Sequence, residues 1–201
     1  GPHSIITLTE PVKSQRLQMV DEIKRALEIA ETVPFRYLIQ HIGVSGEEFS
    51  DRKVDAAFSA LEELSIFARQ RGVEILLENI PNDLSSAERL RYFLEATHLD
   101  LGFVFDVGHA NMGEGVEGAF TVMKERIRST HVHDNDGKED KHLFPFLAEK
   151  GTVDWKRTMS LLRSRPGQYP LVLELREVEG MEHPLDRVNE VFDRLESIRE
   201  D

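Results

Sequence analysis

The 201-residue sequence contains no cysteine, so neither a disulfide nor a thiolate metal site is open to it. No apolar run approaches the roughly 20 residues that span a bilayer, and no signal-peptide pattern precedes the first helical stretch. Basic residues are scarce: 25 Lys and Arg against 37 Asp and Glu leave a formal net charge of −12. That deficit disfavours a nucleic-acid surface, which needs clustered cations to displace counterions. Together these absences fit a cytoplasmic protein with no membrane partner. The length suits a single domain, 1–201, with a sizeable core. Its 40% hydrophobic and 31% charged residues are the balance of a globular chain.

Against that background, five short β-prone runs each stop at a residue that can bind a metal. Tyr37-Leu38-Ile39-Gln40 stops at His41, and Val73-Glu74-Ile75-Leu76-Leu77 stops at Glu78. Phe103-Val104-Phe105 stops at Asp106, with His109 three residues on. Ser129-Thr130 leads into His131-Val132-His133, and Leu171-Val172-Leu173 stops at Glu174. A carboxylate or imidazole is costly inside a sheet and useful at its rim. One such end reads as an ordinary polar strand terminus. Five in register predict parallel strands whose carboxyl ends converge on one site.

Between these runs, apolar residues recur at helical spacing. The stretch 13–32 carries Leu17, Val20, Ile23, Leu27 and Ala30, and 51–71 carries Val54, Ala57, Leu61 and Leu64 before an Arg71-Gly72 stop. Ser85-Ser86-Ala87-Glu88 reads as a capping box for a third helix. A fourth covers 116–127 and includes Ile127, a fifth opens on Asp154 as N-cap, and the last begins at Pro184. Such stripes are core packing. Alternating strands and helices predict a parallel sheet with helices outside. The expected class is α/β, a (β/α)8 TIM-barrel type that is N-terminally incomplete. It has five strands plus the tail of a sixth before Ser4, where a closed barrel has eight in about 250 residues. The missing wall then lies outside this sequence or comes from another chain, and an open sheet is the alternative. A homo-oligomer covering the exposed sheet edge is the partner expected on that ground. The stretch 134–153 is the longest irregular segment, and long loops in compact domains are commonly functional.

Glu78, Asp106, His131 and Glu174 form a hard, mostly oxygen donor set. It suits a divalent metal such as Mn, Mg, Co or Zn. Without a cation, three clustered carboxylates would repel and some would take up protons. His41, His109, Asp140, His142 and His3 are candidates for further metal or substrate contacts, with His41 and His109 alternatively only orienting substrate or donating hydrogen bonds to the first ligands. Asn79 follows Glu78 and is a candidate support for it. Lys141 and Arg176 are candidate contacts to an anionic substrate, with plain surface exposure as the alternative. Asp134-Asn135-Asp136-Gly137 reads as a turn. His133 alternates with His131 and is expected to face the other way.

Leu77-Glu78-Asn79, Phe105-Asp106-Val107-Gly108-His109-Ala110, His131-Val132-His133-Asp134, Asp140-Lys141-His142, Gly151-Thr152-Val153-Asp154-Trp155 and Leu173-Glu174 occur in order. In this order and spacing they resemble the xylose isomerase-like TIM barrels, which join sugar phosphate isomerases and epimerases to endonuclease IV, also called AP endonuclease family 2. The resemblance runs from His41 to Glu174. Its isomerase branch implies one divalent metal on Glu78, Asp106, His131 and Glu174. It also implies that Glu78 and Glu174 move a proton next to a sugar carbonyl through an enediolate. The nuclease branch implies several zinc ions on His41, Glu78, Asp106, His109, His131, Asp140, His142 and Glu174, with His3 as a further ligand, cutting DNA at abasic sites. The acidic charge and the lack of an Arg-rich reading loop favour the small sugar substrate over nucleic acid. An inactive fragment or a non-catalytic metal-binding barrel is the third reading.

Overall fold

A computed structural model describes residues 6–165, 167, 169–177 and 180–198. His3 and the strand tail expected before Ser4 lie outside the described residues. Strand order is the chain order, β1-β2-β3-β4-β5, from strands Tyr37–Gln40, Glu74–Glu78, Gly102–Asp106, Ile127–Val132 and Leu171–Leu173. All five runs singled out above are therefore strands: β2 and β3 end at Glu78 and Asp106, β1 and β5 end one residue before His41 and Glu174, and β4 ends one residue past His131. The chain divides into two compact units, Gly1–Phe103 and Val104–Asp201.

In the first unit, β1 and β2 pair in parallel with Tyr37 opposite Glu74 and Gln40 opposite Leu77. Helix α1 (Lys13–Glu28) buries Val20, Ile23 and Leu27, and a 3-10 turn (Ile29–Glu31) extends it. Helix α2 (Asp51–Arg69) buries Ala57, Leu61, Leu64 and Ala68 and stops before Gly72 as expected. Helix α3 (Ala87–Glu95) is capped by Ser86, whose hydroxyl accepts from the Arg89 amide. The N-cap is thus Ser86, one residue later than the box predicts, and Arg89 at the third helical position replaces the glutamate that the box requires. Ser85 is buried and donates to the Ile42 carbonyl at 2.6 Å, tying the loop after β2 to the loop after β1.

In the second unit, β4 and β5 pair in parallel with Thr130 opposite Leu171. A short helix α4 (Val107–Met112) follows β3 directly, then α5 (Val116–Met123). Ile127 opens β4 instead of closing a helix. Among the described residues no helix is long and apolar enough to cross a membrane. Helix α6 (Trp155–Arg163) buries Trp155, Met159 and Leu162, and α7 (Pro184–Ser197) starts on its proline. The Asp154 carboxylate caps α6 by accepting from the Arg157 amide at 2.9 Å. Asp154→Ala is expected to cost about 1 kcal/mol, or roughly 3 °C in melting temperature. Thermal unfolding checks this, and an unchanged midpoint would remove the cap from the stability account.

Candidate metal centre

In the first unit, β2 delivers Glu78 at its last position, where the carboxylate is almost fully buried, and β1 leads into His41. The two meet at 3.1 Å between His41 Nε2 and Glu78 Oε2. His41 is half exposed, so an imidazole open to solvent covers a carboxylate that is not. Asn79 is buried beside it.

The second unit builds two adjoining groups. Asp106 ends β3 and caps α4, with its Oδ1 accepting from the His109 amide at 2.6 Å. That bond fixes a fully buried carboxylate at the strand end. Its Oδ2 lies 3.8 Å from His131 Nδ1, and the same nitrogen lies 2.9 Å from Glu174 Oε2. One imidazole nitrogen, from the end of β4, thus faces carboxylates that follow from β3 and β5. Asp106, His131 and Glu174 each offer an atom within 4.8 Å of the others. The Glu174 carboxylate is 46% exposed, open to an incoming molecule in a way that Asp106 is not.

The second group is His109, His133, Asp140 and His142, whose ligand atoms also lie within 4.8 Å of one another. Asp140 Oδ2 is 3.4 Å from His109 Nε2 and 3.2 Å from His142 Nε2. The His133 and His142 rings stack at 4.1 Å between centroids. His142 adopts φ 48°, a left-handed conformation rare for a side-chain-bearing residue. Two bonds hold it there. The Arg176 amide donates to its carbonyl at 2.9 Å, and its Nδ1 lies 2.9 Å from the Glu174 carbonyl oxygen.

That last contact decides whether the group fits a metal. A carbonyl oxygen only accepts, so Nδ1 carries the proton and Nε2 of a neutral His142 presents a lone pair. Nε2 faces Asp140 Oδ2, which is also a lone pair. Two lone pairs at 3.2 Å repel unless a second proton or a cation stands with them. Asp140 Oδ1 is buried without a hydrogen-bond partner, a further electron pair aimed into the group. The set of imidazole nitrogens and one carboxylate therefore fits a borderline cation such as Zn²⁺. The carboxylate-rich group suits a harder one.

The Asp140 carboxyl is lowered to about 2, first by its hydrogen bond from His109 and then by the neighbouring imidazoles, against the penalty of burial. Burial pushes the His133 imidazolium down, but the Asp106 carboxylate 3.1 Å away outweighs it and the net shift is upward. Both groups hold the charged form of their residues at neutral pH more firmly than solvent would.

His133 departs from the expectation. Strand β4 ends at Val132, so alternation no longer governs the next residue, and His133 turns into the imidazole group. Its signal in the sequence is Gly108: a Cβ there would lie 2.0 Å from His133 Cε1, so only glycine leaves room for the ring. Lys141 is held by Asp136 and Glu139, and Arg176 is exposed. His98 and His183 lie at the surface.

The profile of the family described as xylose isomerase-like TIM barrel matches residues 1–198. A probable endonuclease 4 from Natronomonas pharaonis is 24% identical over 209 residues, covering 94% of this chain and 74% of that protein. An uncharacterised protein of Methanocaldococcus jannaschii is 21% identical over 175 residues, covering 86% of this chain and 68% of its own. Two further relatives are spanned over 46% and 55% of their lengths. The crystal structure of a D-tagatose 3-epimerase-like protein superposes with a TM-score of 0.78 at 24% identity, over 97% of this chain and 76% of that one. That likeness carries the fold. With strands that end in metal-binding residues and a profile match over nearly the whole length, the chain belongs to the xylose isomerase-like TIM barrel family.

Proposed function

We propose that this chain is a divalent-metal-dependent sugar or sugar-phosphate isomerase or epimerase, with Glu78, Asp106, His131 and Glu174 as the residues that hold the metal. The observation that carries the reading is the single nitrogen of His131 facing Glu174 at 2.9 Å and Asp106 at 3.8 Å. When bound, a divalent metal such as Mn²⁺, Mg²⁺ or Co²⁺ polarises a carbonyl and offsets developing negative charge on its oxygen. Asp106, buried and tied to the start of α4, is a ligand only and moves no proton. Glu174, half exposed, takes a proton from the carbon next to the substrate carbonyl. Glu78 returns one, on the opposite face for epimerisation or at the neighbouring carbon for isomerisation.

A second reading is zinc-dependent phosphodiester cleavage at abasic DNA sites. The group of His109, His133, Asp140 and His142 favours it, being a further donor set beyond what proton transfer needs. Elemental analysis of chain purified without added metal or chelator separates the two. We expect about one Mn, Mg or Co per chain together with turnover on a ketose panel. Two or more zinc per chain with cleavage of abasic DNA would replace the first reading by the second. No metal, and none taken up on titration, would sink both.

A further inference from the structure

We infer that Asp134 is the positioning residue that presets Asp140 and His142, by knotting both ends of the 134–153 loop to one buried carboxylate. Its Oδ1 accepts from the amides of Asn135 at 2.8 Å, Thr152 at 2.9 Å and Val153 at 3.1 Å. Its Oδ2 accepts from the indole Nε1 of Trp155 at 2.8 Å. A carboxylate buried to 3% exposure thus has both oxygens engaged by donors from the far end of the loop. Its backbone holds the near side: the Asp134 amide donates to the Leu143 carbonyl at 2.9 Å, and the Leu143 amide donates back at 2.8 Å. Leu143 directly follows His142, whose left-handed backbone leaves it little freedom once both neighbours are fixed.

The space around the knot is as closed as its hydrogen bonding. A Cβ on Gly151 would lie 2.4 Å from Asp134 Oδ2, so residue 151 lets the chain pass against the carboxylate. Asn135, fully buried, adds a second tie, donating to the Gly108 carbonyl at 2.7 Å and accepting from Gly137 and Asn111. The loop is thereby fastened to α4, which carries His109. The Asp134 carboxylate bonds to neither group; only its backbone carbonyl comes near, 3.4 Å from His133 Nδ1. It acts through the loop, as the outer hydrogen bonds of metal sites act through their ligands. The inference rests on Asp140 and His142 as metal-holding residues.

Asp134→Asn is the test. The amide keeps one accepting oxygen for the backbone donors but turns a donor toward the Trp155 indole, which is itself only a donor. Proton–nitrogen spectra of the histidine rings in the metal-free full-length chain read the outcome. We expect His142 to lose the signature of a ring protonated at Nδ1, while His41 in the other unit keeps its own. Zinc affinity at the imidazole group is expected to fall about 10- to 100-fold. A His142 signature identical to that of the parent would overturn the inference. Should the chain take up no zinc at all, the metal reading fails, yet the ring signature still decides the role of Asp134. If Asp134→Asn does not fold, Trp155→Phe withdraws only one donor. A smaller change in the His142 signal in the same direction supports the inference, and no change overturns it.

Discussion

Adding one methyl group at Gly108 is expected to lower the melting temperature by about 5 °C and to scatter the imidazole group. The new carbon would lie 2.0 Å from Cε1, 2.4 Å from Nδ1 and 2.5 Å from Nε2 of His133. The ring has nowhere to go. It is fully buried, stacked on His142, and 3.1 Å from Asp106. Gly108 sits in helix α4, where alanine would by itself be favoured by about 1 kcal/mol. Overpacking costs about 1–3 kcal/mol and more where the obstacle cannot move, so the clash decides the sign. Gly118→Ala is the internal control. Gly118 lies in α5 with nothing within 4 Å of the added carbon, so the same substitution there should raise stability by about 1 kcal/mol or less. Thermal unfolding of both variants tests the pair. Equal shifts at positions 108 and 118 would mean that the His133 ring is not confined as described.

Glu174→Gln is expected to reduce turnover by about 10²- to 10⁴-fold, the range lost with a general acid or base. The carboxylate is held at the end of β5 with one oxygen 2.9 Å from His131 and nearly half its surface open. Glutamine keeps the shape and one acceptor oxygen but cannot take a proton, and it removes a charge that a cation needs. The carbonyl of residue 174 also anchors His142 through the backbone, and that anchor survives the substitution. Turnover should therefore collapse while the circular dichroism spectrum and the His142 environment stay as in the parent. Activity within a few-fold of the parent, on any ketose that the metal-loaded chain converts, would strip Glu174 of its proposed role.

Much of this arrangement was legible from residue order. The strand runs end at Glu78 and Asp106 or one residue short of His41 and Glu174, so local pattern and local structure coincide. Asp154 and Pro184 start their helices as read, because capping is decided within one turn. What escaped had distant causes. Asp134 looks like a turn residue by composition, yet its acceptor role is set by amides 18 and 19 residues away and an indole 21 away. His133 was misplaced because parity along a strand holds only while the strand lasts. The six residues of α4 are too few to show a period, and it forms because the Asp106 side chain caps it. Ile127 satisfied a helical stripe and a strand equally well, and the end of α5 at Met123 chose the strand.

The short span of the Asp134 knot bears on the order in which this chain acquires its shape. Closing a segment costs entropy that rises with the logarithm of its length, and rates fall as contacts become more distant in sequence. The bonds that fasten the 134–153 loop join residues 18 to 21 apart, whereas Thr130 reaches Pro170 across 40 residues where β4 meets β5. The segment bearing Asp140 and His142 can therefore close without waiting for the β4–β5 pairing, and β5 then brings the Glu174 and Arg176 backbone groups that fix the His142 ring.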